Sequence, residues 1–191
     1  MSSKLRALFI AVLFVTPLVA APFAGALNKP TAKMQRDEPK MRQNLMREIR
    51  HQLVLLPYYS VFDNLAYRLE GDKVILEGQV VRPTLKSDAE AAVKSIEGVS
   101  TVVNNIEVLP VSPLDDQIRR AVYRAIYGDN ALFRYGLSAV PSIHIIVKNG
   151  NVTLEGVADN EADKNLANLR ASQVPNVFAV KNNLRVVSDS K

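Results

Sequence analysis

The stretch Val74-Ile-Leu-Glu-Gly78 occurs again 78 residues later as Val152-Thr-Leu-Glu-Gly156, which indicates that the chain is a tandem pair of one unit. A second stretch, Val99-Ser-Thr-Val-Val-Asn-Asn-Ile-Glu-Val108, returns at the same offset as Val177-Phe-Ala-Val-Lys-Asn-Asn-Leu-Arg-Val186. Between positions 74 and 108 the two copies share eleven identities in thirty-five aligned positions, without a gap. A repeat of turn glycines, alternating apolar residues and asparagines, without a nucleophile or a ligand cluster, is typical of a folded module rather than of an active site.

Turn signals and apolar spacing predict the same order of elements in each copy, namely helix, strand, strand, helix, strand. The first helix carries apolar residues at the spacing of one helical face and ends before Pro57. In the second copy Asn149-Gly150 separates two strand-like runs and supplies the positive φ angles of a type I′ hairpin turn. The predicted N-caps of the later helices are Thr84, Ser112 before Pro113, and Asp159 or Asn160.

The repeat predicts two folded units, at residues 43–110 and 112–188. The connection Leu109-Pro110-Val111 is too short for the units to tumble independently. Each unit has about 65 residues, near the lower size at which a single core suffices, so contact between the units would add stability. We therefore expect the two units to lie close together in a fixed relation.

The N-terminus predicts a secretory signal peptide over residues 1–26. Lys4 and Arg6 flank the start of an apolar stretch at residues 5–19, and Ala24-Gly-Ala26 fits the small-residue pattern of a cleavage site. We expect the exported chain to begin at Leu27 and to be periplasmic or secreted, where it can associate with a membrane. An uncleaved N-terminal membrane anchor is the alternative.

Charge is concentrated near the N-terminus. Residues 27–42, with two prolines and several basic residues, predict a flexible basic tether. From His51 onward, 15 Lys and Arg residues face 16 Asp and Glu residues, although the whole chain has a net charge of +5. This balance argues against a nucleic-acid partner. The absence of cysteine excludes a lipid-modified cysteine, a disulfide framework and thiol chemistry.

These residues resemble the BON domain, the bacterial osmotic-stress and nodulation module of exported proteins. The pattern occurs once as Gly71, Val74, Leu76, Gly78, Ala89, Ala92, Gly98, Val99, Val102 and Asn104. It occurs again as Gly150, Val152, Leu154, Gly156, Ala162, Val177, Val180 and Asn182. The second copy departs at Asn176, which stands in the place of Gly98; Asn also tolerates a left-handed backbone.

The resemblance covers about residues 43–188 and implies an α+β fold. It implies that each α-β-β-α-β unit packs two helices on a three-stranded sheet. It also implies export and attachment to phospholipid surfaces or to other envelope components. The family has no catalytic residues that could be assigned to positions of this chain. The recurring glycines and asparagines are therefore interpreted as residues that maintain the fold.

No constellation of residues predicts an enzyme, a metal site or a cofactor. His51 and His144 occupy unmatched positions in different copies, and neither has ligands at a converging spacing. Glu77 and Glu155 each follow a strand Leu, so alternation turns their carboxylates to the opposite face, where solvation explains them. No hydrolase, phosphate-loop or zinc-protease motif occurs, and no small-molecule substrate is inferred.

Aromatic and basic residues gather where the copies differ most, between the first helix and the first strand of each unit and beside these segments. Amphipathic rings next to guanidinium groups suit an interfacial membrane contact. The alternative is that the rings cap the cores or join one unit to the other. The candidate lipid-binding or partner-binding residues are Tyr58, Tyr59, Phe62, Arg119, Arg120, Arg124, Phe133, Arg134 and Tyr135.

Two functions follow as hypotheses. The first is a non-enzymatic exported module that attaches to the cell envelope, through anionic phospholipid, in osmotic or envelope stress protection. The second is a structural adaptor that binds another envelope protein through exposed strands or aromatic loops.

Overall fold

The computed structural model describes residues 32–187, with side chains from residue 39 onward. It has the predicted α+β fold of two tandem units. Unit 1 contains α1 (Ala32–Val54), β1 (Asn64–Glu70), β2 (Lys73–Val80), α2 (Pro83–Lys94), β3 (Thr101–Asn104) and β4 (Glu107–Val108). Unit 2 contains α3 (Pro113–Tyr127), a 3₁₀ turn (Phe133–Gly136), β5 (Ile143–Lys148), β6 (Asn151–Ala158), α4 (Glu161–Ser172), β7 (Ala179–Asn182) and β8 (Arg185–Val186).

Each unit has its own sheet with the same topology. In unit 1, β2 is central: β1 pairs with it antiparallel, and β3 and β4 both pair with it in parallel. The single last strand predicted from the sequence is therefore two short strands. The break occurs because the Asn104 side chain accepts a hydrogen bond from the Ile106 N–H at 3.2 Å and donates to the Lys86 carbonyl of α2 at 2.9 Å.

Asn182 repeats this arrangement in unit 2. Its side-chain oxygen accepts from the Leu184 N–H at 3.2 Å, and its amide donates to the Lys164 carbonyl of α4 at 2.9 Å. The recurring asparagine thus anchors the last strand of each unit to the second helix. This role explains why the residue recurs without any chemistry of its own.

The glycine that recurs as Gly78 and Gly156 is required because the backbone of a neighbouring segment approaches it too closely for a Cβ atom. Gly78 has φ 120°, and a Cβ atom there would lie 2.0 Å from the Asn64 carbonyl oxygen of the neighbouring strand. Gly156 has φ 114° and the same 2.0 Å approach, to the Ser142 carbonyl oxygen. No residue with a side chain fits either position without moving the backbone.

The turns follow the sequence predictions. Asn149 and Gly150 have φ values of 52° and 76°, as a type I′ hairpin turn requires. Asn176 has φ 67° at the position where unit 1 has Gly98 at φ 91°. The left-handed backbone expected for that asparagine is therefore confirmed.

Helix α1 begins at Ala32, within the segment predicted to be a flexible tether, so that prediction is corrected for residues 32–42. Residues 32–38 consist of Ala, Lys, Met, Gln, Arg, Asp and Glu, most of which have high helix propensity. They extend a helix that the burial of Ile49 and Leu53 already fixes. Pro39 is tolerated inside the helix. Residues 27–31 and the predicted signal peptide lie outside the described residues.

Two helix caps agree with the sequence and one differs. Ser112 caps α3 by accepting from the Asp115 N–H at 3.2 Å, and Asn160 caps α4 by accepting from the Asp163 N–H at 2.8 Å. The N-cap of α2 is Arg82, without a side-chain hydrogen bond, rather than Thr84. Thr84 lies inside the first turn because Pro83 takes the first helical position.

Each unit buries one core between its helices and its sheet. In unit 1, Leu76 of β2 packs with Ile49 of α1 and Leu85 of α2, all at most 1% exposed. In unit 2, Leu154 of β6 packs with Ile118 of α3 and Ala167 of α4. The core of unit 2 also contains two side chains from the first half of the chain, Val61 and Phe62.

Residues 59–63, which we call the seam, join the two units. The seam follows α1 in the chain but packs on unit 2, where the Val61 carbonyl accepts a hydrogen bond from the Ile145 N–H at 2.8 Å. The buried Asp63 carboxylate accepts from the N–H groups of Ser60 at 3.1 Å and Val81 at 2.7 Å, which fixes the path of the segment. The seam therefore covers part of the outer edge of β5 and holds the units together.

Candidate functional site

The nine predicted site residues do not form one surface. Tyr59 and Phe62 belong to the seam: the Tyr59 ring stacks on His144, and Phe62 meets Tyr123 edge-on with centroids 6.2 Å apart. Burial raises the pKa of Tyr59 to about 12. These two rings join the units, which is the alternative that the sequence left open.

Arg119 is buried and does not face solvent. Its side chain is 3% exposed, donates to the Val147 carbonyl at 2.8 Å and forms an ion pair with Asp116. It fastens α3 to the end of β5. The prediction of Arg119 as a binding residue is therefore corrected, because its guanidinium cannot reach a partner without leaving this site.

Tyr135 and Arg134 fasten the 3₁₀ turn to the start of α4. The buried Tyr135 hydroxyl donates to the Asp163 carboxylate at 2.6 Å and accepts from the Asp159 N–H at 2.9 Å. The Arg134 guanidinium forms ion pairs with both of these aspartates. Tyr135 is thus removed from the candidate surface, and Arg134, though half-exposed, already has two carboxylate partners.

Tyr58 lies apart, at the end of the α1 segment of unit 1. The Tyr58 backbone has φ 67°, and the side chain is exposed. The Arg82 guanidinium lies over the ring, 4.6 Å from its centroid. This is a cation–π contact within unit 1. The Tyr58 side chain remains 68% exposed despite this contact.

The three remaining candidates, Arg120, Arg124 and Phe133, lie on α3 and at the start of the 3₁₀ turn. Together with Tyr123 and Leu137, which were not among the predicted site residues, they form what we call the basic aromatic surface. Phe133 is 57% exposed and Leu137 is 68% exposed. Arg120 and Arg124 are exposed, and neither forms an ion pair with another residue of the described part of the chain.

Helical spacing sets the geometry of this surface. Arg120, Tyr123 and Arg124 are at i, i+3 and i+4 of α3 and so share one face. Tyr123, Arg124, Tyr127 and Phe133 line a shallow cavity of about 330 Å³ between α3 and the 3₁₀ turn. Arg124 also lines a second cavity of about 450 Å³ on the side of α4, so its guanidinium stands between two concave regions.

The backbone beneath the surface is held in place. The Tyr127 hydroxyl donates to the Ile143 carbonyl of β5, and a Cβ atom on Gly136 would lie 2.8 Å from the Tyr127 ring. Glycine at this position therefore lets the 3₁₀ turn lie directly on that ring.

Sequence reasoning missed part of this surface. Leu137 stands in the same aromatic segment as Phe133, but a single exposed leucine gives no sequence signal. Tyr123 could have been chosen from its spacing to Arg120 and Arg124 on α3. Leu137 becomes visible only once the 3₁₀ turn is placed beside α3.

Within residues 32–187 no helix is both long and apolar enough to cross a membrane. Over the same residues, no group of three or more His, Asp or Glu side chains is arranged to hold a metal ion.

Comparison with models of known protein families shows the family to which this chain belongs. The model of the BON domain matches residues 66–110 and 115–188, one segment in each unit. The chain belongs to the BON domain family. BON domains are non-catalytic binding modules, and no enzyme family is indicated.

The BON fold of this chain is also similar to solved structures. One is CdsD, a structural protein of the type III secretion system of Chlamydia trachomatis, with 17% identity and a TM-score of 0.27, covering 75% of this chain and 92% of that chain. Another is the CdsD C-terminal domain, with 14% identity and a TM-score of 0.27, covering 75% of this chain and 98% of that chain. These values carry no argument about function. No curated protein matches this BON chain.

Proposed function

We propose that this BON protein is a non-enzymatic exported module that attaches to the cell envelope by binding anionic phospholipid. The basic aromatic surface is the observation that carries the proposal. The exposed Phe133 ring and Arg124 line one cavity there, the exposed Arg120 precedes Arg124 by one turn of α3, and the exposed Leu137 directly follows the 3₁₀ turn. Neither arginine has an ion-pair partner in the described chain. Protection against osmotic or envelope stress is the role in which such attachment would act.

The chemistry of a lipid headgroup fits both parts of this surface. A guanidinium binds phosphate oxygens through paired hydrogen bonds, and it loses little hydration when it does so. Aromatic side chains settle at the depth of the headgroups, with the ring in the apolar layer and a polar edge toward water. Each basic residue close to an anionic membrane contributes about 1 kcal/mol, and salt screens this contribution.

An adaptor that binds by strand addition needs a free sheet edge, and the two sheets leave fewer free edges than the sequence suggested. Strand β5 is an edge of its sheet, but the hydrogen bond from Ile145 to Val61 shows that the seam occupies part of it. Strand addition would have to use another outer edge instead, which is formed by β1, by β3 and β4, or by β7 and β8. Capture of an envelope protein, together with an absence of lipid binding, is the result that would favour the adaptor.

Vesicle cosedimentation tests the proposal. The chain from Leu27 onward, which contains every described residue, should sediment with vesicles containing phosphatidylglycerol and remain in solution with purely zwitterionic vesicles. The double variant Arg120→Ala/Arg124→Ala should lose most of this binding, and added salt should weaken binding by the unmodified chain.

The matched control removes the same charge elsewhere. Arg47 and Arg50 are exposed on α1 of unit 1, three residues apart, and lie outside the basic aromatic surface. The variant Arg47→Ala/Arg50→Ala should bind anionic vesicles nearly as well as the unmodified chain. Equal binding by both double variants would remove Arg120 and Arg124 from the mechanism, and absence of binding by the unmodified chain would overturn the proposed function.

A further inference from the structure

The two units differ at the end that carries the hairpin turn. In unit 2 the buried Asp115 carboxylate accepts from the N–H groups of Asn149 at 2.9 Å and Gly150 at 2.8 Å, which closes the turn against α3. The Phe178 ring then lies over the turn, since a Cβ atom on Gly150 would be 2.6 Å from it. The end of unit 2 is therefore closed and topped by an aromatic ring.

Ser100 occupies the position in unit 1 that Phe178 occupies in unit 2. The correspondence is structural as well as sequential, because the Ser100 N–H donates to the Asp72 carbonyl at 2.9 Å and the Phe178 N–H donates to the Gly150 carbonyl at 3.0 Å. A serine side chain is too small to cover the turn. A groove of about 1010 Å³ opens beside it.

This unit 1 groove has apolar walls and an acidic rim. Helix α1 forms one side and the turn residues 71–72 and 95–98 form the other. Its apolar side chains include Met41, which is 68% exposed, and Ile96. Its charged side chains are Glu48, Asp72, Glu97 and Arg42. Three carboxylates against one guanidinium leave the rim negative, so an anionic headgroup is a poor occupant and a cationic apolar segment is a good one.

The chain itself carries a segment with that chemistry. Phe178 is 74% exposed, although it covers the hairpin turn beneath it. The segment that follows, through residue 187, contains the exposed Lys181 and Arg185 and no acidic residue. An apolar side chain followed by two cations matches an apolar groove with an acidic rim.

We infer that the unit 1 groove binds a second copy of this chain, with Phe178 of that copy entering the groove between α1 and the turns. Reciprocal filling of both grooves gives an isologous pair of copies. Filling in one direction gives a heterologous contact, which builds longer assemblies. The inference goes beyond the proposed function, because it uses neither lipid nor the basic aromatic surface.

Association of copies would strengthen weak attachment to a membrane. Helix α3 runs from the hairpin end of unit 2, where Asp115 lies, to the basic aromatic surface near Gly128. Contact through Phe178 therefore leaves the basic aromatic surface of each copy free. Several such surfaces in one assembly bind a membrane together more tightly than each does alone.

Sedimentation equilibrium without lipid tests the inference. The chain from Leu27 onward should associate reversibly as its concentration rises to about 1 mM, the weak end of specific association. Phe178→Ser, which restores the residue of unit 1, should abolish association, and so should Glu97→Lys in the groove. Val111→Ser, at an apolar position that is 96% exposed, should associate like the unmodified chain.

Disulfide trapping identifies the two surfaces directly, because the chain contains no cysteine. A mixture of the Asn44→Cys and Ala179→Cys chains, which keeps Phe178 and the apolar side chains of the groove, should form a mixed disulfide dimer under mild oxidation, whereas Asn44→Cys with Val111→Cys should not. Mixing single variants excludes a bond within one chain. A strictly monomeric unmodified chain would overturn the inference, and so would association that Phe178→Ser leaves unchanged.

Discussion

The Tyr59 ring of the seam stacks on the His144 ring of β5, with centroids 5.6 Å apart and planes inclined by 20°. This contact joins residues that the repeat assigns to different units. Next to it, Val61 is buried in the core of unit 2. The two BON units are therefore stabilised as one body, and unit 2 depends on a segment that precedes β1.

Truncation of the seam should destabilise unit 2. Val61→Ala removes buried apolar area and leaves a cavity, so we expect a loss of about 1–3 kcal/mol in the free energy of unfolding. Denaturant unfolding followed by circular dichroism measures it. Val111→Ala, at a residue that is 96% exposed, should change the same free energy by less than about 0.5 kcal/mol. Equal stability of both variants would show that the seam does not support unit 2.

The seam should also make stability depend on pH. His144 is buried beneath Tyr59, with Asp63 in the seam and Glu155 across the ladder on β6 as its charged neighbours. Burial lowers the pKa of His144 below its ordinary value of 6.5, although Asp63 and Glu155 oppose this shift. The unfolded chain therefore binds a proton more readily than the folded chain, and stability falls as the pH drops through the ordinary histidine range.

Comparison with a variant isolates this effect. His144→Phe keeps a flat ring under Tyr59 and cannot titrate. Unfolding free energies measured from about pH 8 to pH 5.5 should decline more steeply for the unmodified chain than for His144→Phe. Parallel curves for the two chains would contradict the role assigned to His144.

The recurring glycines should differ in what they tolerate. Gly78→Ala places a Cβ atom against the Asn64 carbonyl at φ 120°, so we expect at least about 3 kcal/mol of destabilisation. Gly71 has φ 65° but open space around it, so Gly71→Ala should cost about 1–2 kcal/mol. Thermal unfolding of both variants measures the difference. Similar costs would mean that strand contact does not explain the recurring glycine.

Much of the fold could be predicted from the sequence because the local signals agree with one another. Asn149-Gly150 predicted a hairpin turn, and Ser112 predicted the start of α3. The order of elements predicted for one copy also matched the order predicted for the other. From Ala32 onward the segment predicted as a flexible tether belongs to α1, because helix propensity and continuation from the buried part of the helix outweighed Pro39. The split of the last strand also could not be predicted, because it depends on Asn104 reaching a carbonyl of α2.

The candidate site was harder to predict, because exposure depends on contacts between distant residues. Arg119 and Arg120 are adjacent in sequence, yet one is buried against β5 and the other faces solvent. Tyr135 is buried because two aspartates at the start of α4 surround its hydroxyl. Composition alone marks all of these residues as amphipathic, and only packing separates them.

The most direct test of phospholipid binding uses a single fluorescent reporter, because the chain contains no tryptophan. Phe133→Trp places the indole in the basic aromatic surface, and Val111→Trp places it before the opposite end of α3. With vesicles that contain phosphatidylglycerol, we predict a blue shift of the Phe133→Trp emission and no shift for Val111→Trp. Unchanged emission from Phe133→Trp, under conditions where the chain sediments with those vesicles, would contradict phospholipid binding through the basic aromatic surface.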